Sequence, residues 1–252
     1  MFIFFNFIPG NNQLILLFAT IFACPKIKLF SELKSMGVDI YHYPMISTSK
    51  IINSINPNNF QYVIFTSKNG VKYFMDNLTA KIDDSLGFIC IGRKTADKLA
   101  KYNFQADYIL KRNYSRFMCE DIRALDLKTE SKILLAQGNL AKKDLFDCLS
   151  KFINIEQGIF YETSLIDQVN HEIKNLLEYE NTFTVFTSPS TFESFINKYN
   201  PNDKIISIGN TTTEYIEGRG YKPLVTAKMQ SYEGISNSII NFLNKNLNYE
   251  IS

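Results

Sequence analysis

The amino-acid sequence predicts an α/β protein of two similar domains, each a parallel sheet flanked by helices. Two observations carry this reading. Short apolar runs of strand length alternate with stretches whose apolar residues recur at helical spacing, and the whole series occurs twice in the same order. "YVIFTSKNG" at residues 62–70 is answered by "FTVFTSPST" at residues 183–191, so an aromatic-rich strand empties into Thr-Ser in both copies. Alternating strands and helices bury a parallel sheet between helical layers.

The elements follow in chain order. "LILLFA" reads as a buried strand, and "LFSELKSMGVDIYHYPMI" as a helix followed by a strand. After Thr66-Ser67, "NGVKYFMDNL" places Val71, Phe74 and Leu78 on one helical face. "FICIGRKTADKLAKYNFQADYI" then supplies a strand, a Gly-containing turn and a helix, and "YSRFMCEDIRAL" a further helix. The second series opens with "KILLAQGNLAKKDLFDCLSKFINIEQGIFYET". It continues past Thr187-Ser188 with "STFESFINKY", where Phe192, Phe195 and Ile196 share a helical face. "KIISIGNTTTEYIEGRGYKPLVT" and "QSYEGISNSIINFL" complete it, matching the third and fourth units of the first series.

Bulk composition narrows the function. The 252 residues suffice for one large domain or two of ordinary size. A hydrophobic content of 45% with 21 Phe and 14 Tyr provides the cores, and a charged content of 21% gives no sign of disorder. The net charge of +2, without a Lys/Arg tract, argues against a nucleic-acid partner. It leaves room for a small acidic ligand, because a cleft can be locally positive in a nearly neutral protein. Cys24, Cys90, Cys119 and Cys148 are scattered, and His42 and His171 lie far apart, so no metal site is expected and the thiols read as reduced, in a cytoplasmic protein. The apolar N-terminus is cut by Pro9-Gly10-Asn11-Asn12, and Leu14 to Cys24 falls short of the roughly 20 residues a membrane helix needs. The first basic residue is Lys26, too late for a secretory leader. Residues 1–12 therefore read as an extension, with no membrane partner.

The chemistry is expected at the carboxyl ends of the strands, where an open α/β sheet places its ligands. Four turns there carry hydroxyls: Thr66-Ser67, Thr95 in "IGRKT", Thr187-Ser188, and Thr211-Thr212 in "IGNTT". A Ser or Thr at such a turn can cap its helix, or its hydroxyl and the free helix N–H groups can hold an anion. Both readings stand for each turn. No G-x-x-x-x-G-K-[ST], G-x-G-x-x-G or G-x-S-x-G occurs, which counts against a nucleoside phosphate and against a serine-hydrolase elbow. Asp83-Asp84 reads as a solvated turn. Neutral donors with little acid–base equipment suit a large ligand bearing several carboxylates.

These motifs, in this order and spacing over roughly residues 30–245, resemble the uroporphyrinogen-III synthase family. The resemblance implies cyclisation of hydroxymethylbilane to uroporphyrinogen III in tetrapyrrole and haem biosynthesis. Water is lost and the last pyrrole ring is inverted through a spiro intermediate, with no metal or cofactor. It also implies two flavodoxin-like domains joined by a two-stranded linker. Residues 1–39 with 165–252 would form one domain, residues 47–155 the other, and 40–46 and 157–163 the linker strands. The expected partners are the substrate and, as a candidate, the upstream hydroxymethylbilane synthase, and the expected state is a monomer. Carried over position by position, the substrate-binding residues are Thr66, Ser67, Thr95, Ser188, Lys204, Thr211 and Thr212, and the catalytic residue is Tyr161. Tyr161 would assist departure of the hydroxyl through its phenol; alternatively it packs as a strand aromatic. Lys204 would meet a carboxylate, or it simply begins a strand. One departure stands out: family members open with a strand running into Thr-Arg-Pro, whereas this chain has "LLFATIFACPKIK", leaving Lys26 or Lys28 to supply a cation. Lys142-Lys143 follow the "GN" turn, where the family has a basic residue. The competing readings are a two-lobed, non-catalytic binding protein for an acidic ligand and an inactive synthase paralogue.

Overall fold

The computed structural model describes residues 13–20, 30–110, 115–125, 127 and 130–249. The expected extension at residues 1–12, and Lys26 and Lys28, lie outside the described residues. The chain begins with β1 (Gln13–Thr20), α1 (Ser31–Ser35) and β2 (Val38–Lys50), and continues through β3 (Tyr62–Phe65), α2 (Lys68–Met75), β4 (Gly87–Cys90) and α3 (Arg93–Ala100). Next come β5 (Tyr108–Ile109), α4 (Ser115–Arg123), β6 (Lys132–Gly138), α5 (Asp144–Leu149), β7 (Asn154–Leu165) and α6 (His171–Leu177). It closes with β8 (Thr182–Phe186), α7 (Pro189–Ile196), β9 (Ile205–Ser207), α8 (Asn210–Glu217), β10 (Val225–Thr226) and α9 (Tyr232–Tyr249). "LILLFA" is thus in a strand, and the amphipathic stretch after Thr66-Ser67 is helical as far as Met75, with Leu78 beyond the helix.

The chain divides into two compact units. One comprises residues 1–47 and 164–252, the other the continuous stretch Thr48–Thr163. Strands β2 and β7 carry the chain from one unit to the other.

In the continuous unit the strand order is β7-β6-β3-β4-β5, and every pairing is parallel. "YVIF" and "KILLAQG" are continuous apolar runs because a parallel strand is buried on both faces. On one face Val63, Phe65, Phe88, Cys90, Leu134 and Ala136 pack against Val71 and Phe74 of α2 and Ala96 and Leu99 of α3. On the other, Ile64, Ile89, Ile133 and Leu135 pack against Met118, Cys119 and Ile122 of α4 and Leu145 and Leu149 of α5. The alternation along each strand sends neighbours to opposite layers, so the unit has three layers.

The discontinuous unit repeats the plan, with order β10-β9-β8-β1-β2 and parallel pairing throughout. Phe183, Val185 and Ile206 face α1 and α9 through Leu33, Ile235 and Ile239. Phe186 and Ile205 face α6, α7 and α8 through Ile173, Phe192, Phe195 and Ile216. Numbered in chain order within each unit, the discontinuous sheet runs in the spatial order 2-1-3-4-5 and the continuous sheet in the order 3-2-1-4-5.

The thiols correct another expectation. Cys119 of α4 and Cys148 of α5 form a disulfide across a separation of 29 residues, rather than remaining reduced. Their spacing along the chain hid this, because only the packing of α4 beside α5 brings them together. Cys90 is free and fully buried, and burial pushes its thiol up to about 12, so it is inert at neutral pH. Closing a loop of this size restricts the unfolded chain by about 3–4 kcal/mol. Reductant, or Cys148→Ser, should therefore lower the thermal midpoint by several degrees; an unchanged midpoint in a melting curve would remove the disulfide from the stability of the fold.

Candidate functional site

In the continuous unit the site is built around the turn after β3. Ser67 is the N-cap of α2: with extended φ/ψ of −157° and 161°, its Oγ accepts the Gly70 N–H at 2.9 Å. The cap reading is correct for this serine, but the same Oγ also lies 3.2 Å from the Tyr161 hydroxyl. Tyr161 reaches it from β7 through a shift in strand register, with Gly138 rather than a bulkier residue as its ladder partner. An ideal Cβ on Gly138 would sit 2.5 Å from Cε2 and Cζ of Tyr161, so glycine is what lets the ring lie there. Asn139 closes the turn: its N–H donates to the Tyr161 carbonyl at 3.0 Å, and its Oδ1 accepts the Thr163 N–H at 2.8 Å. Tyr73 of α2 stacks on the Tyr161 ring, with centroids 5.3 Å apart and planes 24° from parallel.

Burial raises the Tyr161 phenol above its ordinary value, a rise partly opposed by the Ser67 hydroxyl and reinforced by Tyr73. The phenol is therefore protonated at neutral pH and serves as a hydrogen-bond donor. Thr66, half-buried, precedes Ser67 at the end of β3. Thr95 is buried in the first turn of α3, whose N-cap is Gly92 at φ 86°. A side chain is disfavoured at that φ, so α3 begins without a side-chain cap. Lys142 and Lys143 are exposed ahead of α5.

In the discontinuous unit Ser188 is the equivalent N-cap, on α7. Its Oγ accepts the Thr191 N–H at 3.2 Å, and Thr191 Oγ1 accepts the Ser188 N–H at 3.1 Å, a reciprocal capping box. Among the described residues no tyrosine is bonded to Ser188 in the way Tyr161 is bonded to Ser67. Thr211 is exposed, while Thr212 is 1% exposed with an Oγ1 that has no partner among the described residues. A buried unmet hydroxyl costs about 1–3 kcal/mol. Sequence reading passed over a further group: the hydroxyls of Ser207, Thr213 and Thr226 bond to one another at the ends of β9 and β10.

Lys204 does not join these residues. It precedes Ile205, at the amino end of β9, whereas the Thr-Ser and Gly turns leave the carboxyl ends of parallel strands. Its Nζ donates to the Glu180 carbonyl at 2.6 Å, just ahead of β8. Lys204 thus begins a strand. Gly138, Asn139 and Tyr73 were missed; the "GN" turn was the one available signal, and it was read only for the lysines that follow.

The two serines yield a paired prediction. Ser188→Ala and Ser67→Ala should each destabilise the protein by about 1 kcal/mol through loss of a cap. Ser67→Ala should also lower kcat by about threefold to tenfold, because Ser67 holds Tyr161, whereas Ser188→Ala should leave kcat unchanged and act on KM alone. Equal turnover in the two variants, assayed beside their melting curves, would separate Ser67 from the chemistry.

Fold and site together define a class: a doubled α/β protein whose strand–helix turns present hydroxyls and helix N–H groups, with a protonated phenol on one of them. Among the described residues no group of three or more His, Cys, Asp or Glu could hold a metal ion, and no helix is long and apolar enough to cross a membrane. More narrowly, the chain belongs to the family described as uroporphyrinogen-III synthase HemD, whose model matches residues 28–237. It is 25% identical over 218 residues to a porphyrin biosynthesis protein HemD of Ruminiclostridium josui, covering 79% of this chain but 43% of that protein. A uroporphyrinogen-III synthase of Chlorobaculum parvum is 23% identical over 207 residues, or 76% of this chain and 84% of the other. The crystal structure of uroporphyrinogen-III synthetase from Helicobacter pylori superposes with a TM-score of 0.67 at 20% identity, covering 92% of this chain and 99% of that one. A uroporphyrinogen III synthase structure from Thermus thermophilus follows at 0.62 and 14%, covering 92% and 99%. These structural likenesses establish a shared α/β fold dominated by parallel strands.

Proposed function

We propose that the protein is a uroporphyrinogen-III synthase, cyclising hydroxymethylbilane with loss of water and inversion of the last pyrrole ring. Family membership supports the reaction class, and one observation carries the mechanism: the ordered chain from the Gly70 N–H to Ser67 Oγ to the Tyr161 hydroxyl. Ser67 Oγ already accepts from Gly70, so its own proton is free to go to the Tyr161 oxygen. That leaves the Tyr161 O–H to point at the substrate, and each bond in such a chain strengthens the next.

Tyr161 then donates to the departing hydroxyl of the bilane as the adjacent pyrrole expels it, and water leaves. The resulting electrophile closes on its own to the uninverted isomer. The protein's task is to hold the chain so that attack comes from the substituted carbon of the last ring, which is catalysis by orientation. The substrate's carboxylates are held by hydroxyls and helix N–H groups at Thr66, Ser67, Thr95, Ser188, Thr211 and Thr212, helped by the positive helix ends. Lys204, bonded to Glu180 at the amino end of its strand, is left out of this set. In this reading the two units are the two domains, joined through the strands at residues 40–46 and 157–163, and the protein acts as a cytoplasmic monomer. No metal or cofactor takes part, and the upstream synthase hands over the unstable bilane.

The test is the isomer ratio. Protein given freshly generated hydroxymethylbilane should raise the share of type III uroporphyrin after oxidation and chromatographic separation. Type I alone, at the spontaneous rate, would sink the synthase reading and leave a binding protein or an inactive paralogue.

A further inference from the structure

Tyr73 has no role in the reaction that the resemblance implies, yet its ring stacks on that of Tyr161. It is 3% exposed, in the core between α2 and the sheet. Its hydroxyl donates to the Thr48 carbonyl at 2.8 Å, and the same oxygen lies 2.8 Å from Thr48 Oγ1. A phenol has one proton, and here the carbonyl takes it; the Thr48 hydroxyl must therefore be the donor in the second bond. Both hydrogen-bonding capacities of Tyr73 are thus spent on one residue of β2, which fixes the ring at its far end. The face of that ring lies against Tyr161 at 5.3 Å. Tyr161 in turn leans over Gly138, with its hydroxyl on Ser67.

We propose that Tyr73 is a positioning residue: tied to Thr48, it sets the plane of the Tyr161 ring and so aims the Tyr161 hydroxyl. The proposal rests on the synthase reading for what that hydroxyl does, but not for how it is held. Burial alone would be served as well by phenylalanine, which keeps the stacking face and lacks only the tie to Thr48. Comparing the variants therefore separates packing from aim.

Steady-state formation of type III is measured for Tyr73→Phe, Tyr73→Leu and each of these combined with Tyr161→Phe. Tyr73→Phe should keep the wild-type KM, melt a few degrees lower through loss of its two bonds to Thr48, and lower kcat about threefold; Tyr73→Leu should lower kcat about tenfold or more, as a misplaced catalytic group does. In the Tyr161→Phe background neither change should cost more than about twofold, because the group being aimed is gone. Wild-type kcat in Tyr73→Phe and Tyr73→Leu, or the same losses with and without the Tyr161 hydroxyl, would overturn the proposal. A readout without turnover separates its failure from that of the synthase reading: 3-fluorotyrosine at position 161, followed by fluorine NMR in the full chain. Its resonance should move in Tyr73→Phe, which keeps the neighbouring ring and removes only the tie to Thr48. A resonance unmoved by that change would refute the positioning role even in an active enzyme. A moved one would support it even if the wild type yields only type I.

Discussion

Tyr161→Phe should lower the rate of type III formation by about 10- to 100-fold, and the lost flux should appear as type I. The magnitude follows from removing one hydrogen bond to a group developing charge, worth about 1.5–3 kcal/mol, at tenfold per 1.4 kcal/mol. The shift in product follows because the uncatalysed closure takes whatever the protein fails to direct. Stability should change little, since the phenylalanine ring can keep its stacking on Tyr73 and its place over Gly138, and only the 3.2 Å contact with Ser67 is lost. The pH profile should agree. Because burial raises the Tyr161 phenol above the ordinary 10.0, the wild type should keep its rate through pH 10 rather than lose it there. An unchanged kcat in the variant, or an alkaline fall in the wild type well below pH 10, would take Tyr161 out of the mechanism.

The second large effect is expected at a residue with no side chain. Alanine at position 138 would bring a methyl group to 2.5 Å from two ring atoms of Tyr161 and 3.0 Å from a third. Carbon atoms rest at about 3.5–4.0 Å, so the ring must move by about an ångström. It cannot move freely, because Tyr73 covers its face and Ser67 holds its hydroxyl. Overpacking of this kind costs about 1–3 kcal/mol, and displacing a reacting group by that distance costs about 100-fold in rate. Gly138→Ala should therefore be folded, less stable and nearly inactive. Gly209→Ala is the matched control. A Cβ there meets nothing closer than Gln230 at 3.5 Å, and φ of 167° is ordinary extended backbone. Its activity should stay close to wild type, and full activity in Gly138→Ala would show that the ring position does not matter.

What the sequence made legible was whatever depends on neighbours along the chain. The runs of β3, β6 and β8 announce buried parallel strands because consecutive residues there face opposite layers and both layers are dry. Ser67 and Ser188 announce caps because a cap bonds within its own first turn. The resemblance located Tyr161, but its setting depends on contacts between distant segments. The register that places it over Gly138 is fixed by pairing across two strands, and the stacking on Tyr73 by where α2 lands. In the sequence Tyr73 is one more apolar position in an amphipathic helix. The disulfide was illegible for the same reason: scattered cysteines reveal nothing until α4 and α5 are packed. Lys204 shows the converse, since a lysine beside a motif can still sit at the wrong end of its strand.

The interrupted chain path has a consequence for synthesis. Thr48–Thr163 is a continuous stretch with its own sheet and both helical layers, so it can fold as soon as it leaves the ribosome. Strand β1 cannot do the same, because its neighbour β8 is made only after that whole stretch has been translated. At about 5–20 residues per second the apolar "LILLFA" waits roughly ten to thirty seconds with one edge unpaired. For that interval the nascent protein carries a bare, sticky strand beside a finished unit. A ribosome stalled after Thr163 would release such a species for good, a substrate for chaperones or for aggregation.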